Sequence, residues 1–164
     1  LGRRQRQMCI RDSYYGKITL KVAVEPHKVV ACNCLGCQVF GGGPFRNNGI
    51  LNSKNIPTQG KISNYNKIGG SGAVLRQAFC GIRGTHFYAF DTERTVYSVH
   101  TGFLDQHSSL APFKHIFGKT ALKWLSSMSE FAWFKKGLNS GKIHSLVGNL
   151  LFSCLTLLWA LWSS

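Results

Sequence analysis

Acidic residues are what this chain has least of: six Asp and Glu stand against 20 Lys and Arg in 164 residues, a formal net charge of +14. That imbalance turns the chain away from cationic partners and toward anions: nucleic acid, acidic lipid or a small acidic substrate. No recognised nucleic-acid motif accompanies the charge, so nucleic acid is not the expected partner. A spread disulfide framework is also missing. The six cysteines, Cys9, Cys32, Cys34, Cys37, Cys80 and Cys154, are clustered, and no signal peptide opens the chain. A reducing, cytoplasmic setting is therefore expected. No fourth cysteine stands at a spacing that suits an iron–sulfur cluster, which sets that cofactor aside.

What is present is glycine, 18 residues of it, which predicts many turns and few long helices. The length suits one domain with a modest core. Residues 1–12, LGRRQRQMCIRD, have neither strand nor helix periodicity. Three readings stand: a disordered basic tail, an Arg-rich nucleic-acid arm, or an artefact, since RRQRQMCIRDS resembles translated sequencing-adapter DNA. Residues 13–125 read as the β domain. Residues 126–164 differ in composition and end in a segment, 143–162, that carries no charge and follows Lys135, Lys136 and Lys142. It reads as a membrane-spanning helix, a buried C-terminal helix or a shifted reading frame, and membrane association is expected only through it.

Between these ends the apolar pattern is that of strands. Ile18, Leu20, Val22 and Val24 alternate with Lys and Thr, which predicts a half-buried strand over 16–24. Glu25-Pro26-His27 turns the chain, and a short strand at 29–32 leads into the cysteines. Gly41-Gly42-Gly43-Pro44 reads as a loop, and 46–66 as loops and short edge strands. Strands are expected at 73–79, 86–90 and 95–101, with turns at 69–72 and at Gly84. Segment 109–125 reads as a loop and a short helix wrapped across the sheet. The fold class is mainly β, a small antiparallel domain.

Chemistry concentrates in Cys32-Asn33-Cys34-Leu35-Gly36-Cys37. Three thiols in the order C-x-C-x-x-C suit one tetrahedral zinc ion, with extended backbone bringing Cys32 and Cys34 to one point. A turn at Leu35-Gly36 returns Cys37, and Leu35 is placed to shield the metal. Three protein ligands leave a fourth position for water or substrate, and four would make the site structural. Cys80 is the candidate fourth ligand. The alternatives are a metal-free thiol cluster, and for Cys80 an ordinary buried thiol.

From Gly16 to about Leu125 the chain resembles the glutathione-dependent formaldehyde-activating enzyme family, the centromere protein V/GFA domain. The resemblance rests on Cys32, Cys34 and Cys37, on Phe79-Cys80-Gly81-Ile82-Arg83-Gly84-Thr85, on 99–105 (VHTGFLD), and on Pro112, His115-Ile116-Phe117 and Trp124. It implies an Mss4-like β fold, a catalytic zinc held by Cys32, Cys34 and Cys37, and carbon–sulfur lyase chemistry on glutathione or another thiol–aldehyde adduct. The family usually carries His where Asn33 stands. It also implies a structural zinc site, but Ser13, Tyr15 and Arg83 occupy three of that site's cysteine positions, leaving Cys80 alone. His115 is the expected pocket residue that meets the ligand, or else a packing or surface histidine. Asp105 reads as a turn residue, and His86 and His100 as structural. The competing reading is a non-catalytic zinc-binding module for protein or nucleic-acid interaction.

Overall fold

The computed structural model describes residues 8–11, 18–69 and 72–143, with the backbone alone for 8–11. The chain forms two compact units, residues 1–121 and 122–164. In chain order the first contains β1 (Met8–Arg11), β2 (Thr19–Val22), β3 (Val29–Cys32), α1 (Leu35–Gly41), β4 (Arg46–Asn52), β5 (Thr58–Gln59), β6 (Ser63–Ile68), β7 (Val74–Phe79), β8 (His86–Asp91), β9 (Val96–His100) and β10 (Lys114–Ile116). The second contains β11 (Trp133–Phe134), β12 (Lys142–Ile143) and a 3-10 segment at Lys123–Glu130.

The fold is mainly β, as the alternation predicts. Seven strands make one sheet in the order β10-β3-β4-β9-β8-β7-β6, and β1-β2-β5 make a second. Among the described residues every pairing is antiparallel except that of β10 with β3, which is parallel. Ile18, Leu20, Val22 and Val24 are all buried, and they pack with Val29, Phe87, Val99, Leu104 and Leu110. Phe87 is fully buried, and truncating a ring of this kind typically costs about 3–5 kcal/mol. Gly49 on β4 lets the sheets approach closely, because a Cβ there would collide with the methyls of Val24.

Four elements depart from the sequence pattern. Met8–Arg11 pairs with β2 although it has no periodicity. Arg46–Asn52 is an interior strand between β3 and β9 rather than a loop. Its polar residues Arg46 and Asn48 face a cavity, and the alternate position Gly49 meets the core. Leu35–Gly41 is a helix, ended by Gly42 in the left-handed region at φ 59°. Lys114–Ile116 is a strand that β3 recruits, with Phe113 N–H donating to the Val29 carbonyl at 3.1 Å. Of the turn expected at 69–72, residues 70 and 71 lie outside the described residues, and Gly69 N–H donates to the Ala73 carbonyl at 2.8 Å.

In the second unit, β11 and β12 pair antiparallel, and the rings of Trp124 and Phe131 lie 6.2 Å apart. The segment expected as a helix at 143–162 lies outside the described residues from residue 144 onward. Among the described residues no helix is long and apolar enough to cross a membrane.

Candidate metal centre

Cys32 ends the interior strand β3, Asn33 turns the chain, and Cys34 caps α1. The Cys34 sulfur accepts the Cys37 N–H at 3.4 Å, so the thiol loop and the helix start are one structure. The sulfurs of Cys32, Cys34 and Cys37 lie within 4.8 Å of one another, and Cys32 and Cys34 are 3.6 Å apart. Four ligands at a zinc–sulfur distance of about 2.3 Å would set sulfurs about 3.8 Å apart. The trio therefore fits one tetrahedral ion, and thiolates are soft ligands that suit zinc. Leu35, expected as a shield, is instead 66% exposed.

The trio shares protons unequally. A hydrogen bond from Cys37 is the main reason the Cys32 thiol is lowered to about 5, and Arg46 adds to it. That same pairing, followed by burial, pushes Cys37 well above the ordinary thiol range. Cys32 is thus the thiolate of the pair, ready to meet a cation.

Asn33 is fully buried behind the sulfurs and ties the loop down. Its Nδ2 donates to the carbonyls of Ile116 at 2.8 Å and Ala31 at 3.3 Å, and lies 3.3 Å from His115 Nδ1. Its backbone carbonyl accepts from Gln38 Nε2 at 2.7 Å and Thr120 Oγ1 at 2.9 Å. Asn33 Oδ1 has no partner.

One face of the seven-stranded sheet lines a cavity of about 240 Å³ that all three cysteines also line. Arg46 lies opposite Cys32 in the β3–β4 pair, so both side chains rise from the same face. It is 6% exposed, its Nε donates to Asn48 Oδ1 at 3.0 Å, and it has no carboxylate partner among the described residues. Isolating a guanidinium in this way costs several kcal/mol unless negative charge compensates it. Lys67 stands on the cavity wall with its ammonium 4.8 Å from the Phe40 ring centre. Gly36 leaves room for that ammonium, since a Cβ there would collide with it. Buried Gln77 also lines the cavity, and its Oε1 is unpartnered.

The other sequence candidates fall elsewhere. Cys80 is not brought to the trio. It is buried in the apolar core, in a turn closed by Cys80 N–H to the Thr85 carbonyl at 2.8 Å and Gly84 N–H to the Cys80 carbonyl at 2.7 Å. Arg83 is exposed in that turn, and Ser13 and Tyr15 lie outside the described residues. His115 does not line the cavity, and its ring packs edge-on to Phe45 at 5.4 Å. Asp105 sits in a turn. Sequence reasoning missed Arg46, Asn48, Lys67 and Gln77. The available signal was the alternation of Arg46, Asn48 and Ile50 just after the thiols.

His100 is lowered to about 4, first by burial and then by Arg46. Its folded value lies below the ordinary 6.5, so its contribution is present above that value and is lost as pH falls toward 4. Stability is expected to drop by about 1–3 kcal/mol across that window. Urea titrations at several pH values should show the drop, and His100→Gln should flatten its share.

The geometry defines a β-sheet protein with a three-thiol centre at a cavity that could hold a metal ion. The model of the glutathione-dependent formaldehyde-activating enzyme family matches residues 12–120. That is about two thirds of the chain, and the chain belongs to this family. Among solved structures it is similar to a crystal structure of a Rhodobacter sphaeroides protein, with a TM-score of 0.52 and 15% identity, covering 66% of this chain and 99% of that one. At that identity the likeness bears on the fold. No curated protein matches.

Proposed function

We propose that the chain is a zinc-dependent carbon–sulfur lyase acting on glutathione or on thiol–aldehyde adducts, with zinc held by Cys32, Cys34 and Cys37. The observation that carries this reading is the convergence of three thiols, one of them favoured as thiolate, on a cavity large enough for part of a ligand. Family membership supports the reaction class. Bound zinc would supply Lewis acidity and favour the thiolate form of an incoming thiol. The chain's own residues do the rest. Asn33 and the cap of α1 hold the three sulfurs in place. Val30, Ile50, Leu75 and Ala89 make the cavity wall apolar and keep water from the reacting sulfur. His115 orients the loop through Asn33 rather than meeting the ligand.

The test is adduct formation from glutathione and formaldehyde, followed by NMR exchange with zinc-loaded protein. Acceleration over the spontaneous reaction that disappears on chelation supports the proposal. Full zinc loading with no acceleration on any thiol–aldehyde pair overturns it in favour of a non-catalytic zinc module.

A further inference from the structure

The cavity contains a buried cation whose charge faces the Cys32 thiolate but whose hydrogen-bond donors are mostly unused among the described residues. Arg46 has five N–H donors, and one of them is used, by Asn48. Asn48 is itself fixed, its Nδ2 donating to the Arg46 carbonyl at 3.0 Å, so the guanidinium is held through Nε, and its terminal nitrogens have no bond to the described residues. No other acceptor among the described residues bonds to Arg46. Asp91 also lines the cavity, but its carboxylate accepts from the Thr95 and Val96 amides and is not paired with Arg46. A held guanidinium with its fork unbonded matches a carboxylate in two parallel hydrogen bonds.

Two further features indicate what brings that carboxylate. Arg46 and Cys32 are cross-strand partners, a relation that sets Cβ atoms about 4.5–5.5 Å apart. A ligand whose sulfur reaches the thiol trio meets Arg46 on the same sheet face, one cross-strand step away. The cavity, about 240 Å³, is also smaller than the roughly 300–1,000 Å³ of common ligand sites. Lys67 on the wall adds a second positive charge.

We propose that Arg46 is the specificity residue of this cavity: it pairs with the carboxylate of a short mercapto acid, or of its aldehyde adduct, whose sulfur lies at Cys32, Cys34 and Cys37. This rests on the lyase reading and narrows its substrate. Glutathione also carries carboxylates, but it is a larger molecule on longer arms than a cavity of about 240 Å³ favours.

The experiment uses the full chain loaded with cobalt(II) in place of zinc, and reads thiol binding from the sulfur-to-cobalt absorption band. The probes are 3-mercaptopropionate, the neutral 3-mercapto-1-propanol of equal length, and glutathione. The acid is expected to bind at least about tenfold more tightly than the alcohol, and more tightly than glutathione. Arg46→Gln should bring acid and alcohol within about twofold, with alcohol affinity unchanged. Lys67→Gln, on the cavity wall, should reduce the preference by a smaller factor, and it serves if Arg46→Gln fails to fold by circular dichroism. Equal binding of acid and alcohol by the wild type overturns the proposal while leaving the lyase reading standing. So does a preference that survives Arg46→Gln. Tighter binding of glutathione overturns the short-chain assignment. If no thiol perturbs the cobalt band, the lyase reading itself fails.

Discussion

Replacing Cys34 with alanine should empty the metal centre, taking zinc from about one ion per chain to none by elemental analysis. Two thiols cannot close a tetrahedral site, and in this fold Cys34 has a second task. Its sulfur accepts the Cys37 N–H and starts α1, the helix that carries the third ligand. Alanine therefore removes a ligand and a helix cap together, and loss of the cap adds about 1 kcal/mol to the loss of metal. Cys34→Ser separates the two, because a hydroxyl caps well and ligates zinc poorly. In the metal-free protein serine should be more stable than alanine, while zinc should raise the melting temperature of neither. Cys80→Ala should keep its zinc, since that thiol is packed among apolar side chains and its turn is closed by backbone hydrogen bonds. Zinc bound at unchanged stoichiometry by Cys34→Ala would place the metal elsewhere.

The sequence revealed elements that bury apolar side chains in a regular period and hid those that lack one. β2 was legible because Ile18, Leu20, Val22 and Val24 meet the core on every second residue. β3, β7, β8 and β9 were legible for similar reasons. β4 was not: Arg46, Asn47 and Asn48 look like a loop when strand propensity is read alone, yet alternate positions face the cavity. β10 has three residues and forms because β3 offers an edge, a tertiary cause with no local signature. α1 was hidden by Gly36 and by the glycines at its end, which lower helix propensity, and its start is set by a cysteine acting as a cap. For the site, spacing was enough to gather Cys32, Cys34 and Cys37. It could not place Cys80 in the core, nor show that Arg46 stands across from Cys32, because both depend on strand register.

Asn33→Ala should be the most damaging change that touches no ligand. The Asn33 amide reaches the Ala31 and Ile116 carbonyls and His115, joining the thiol loop to β10. Alanine removes those side-chain bonds and leaves the Ile116 carbonyl only the Asn33 backbone N–H at 3.1 Å, at a cost of about 1–3 kcal/mol in urea unfolding of the metal-free chain. Because the loop then holds Cys32 and Cys34 less firmly, zinc affinity measured against a competing chelator should fall about 10–100-fold. The two losses have different origins. Asn33→His separates them. A ring N–H can replace Nδ2 as donor, and nothing is lost at Oδ1, which has no partner. Histidine should therefore recover most of the zinc affinity even if the larger ring costs packing energy at this fully buried position. Alanine that binds zinc within about twofold of the wild type would show that the cap of α1 alone orders the thiols, and that the buried amide serves only to fasten β10 to the sheet.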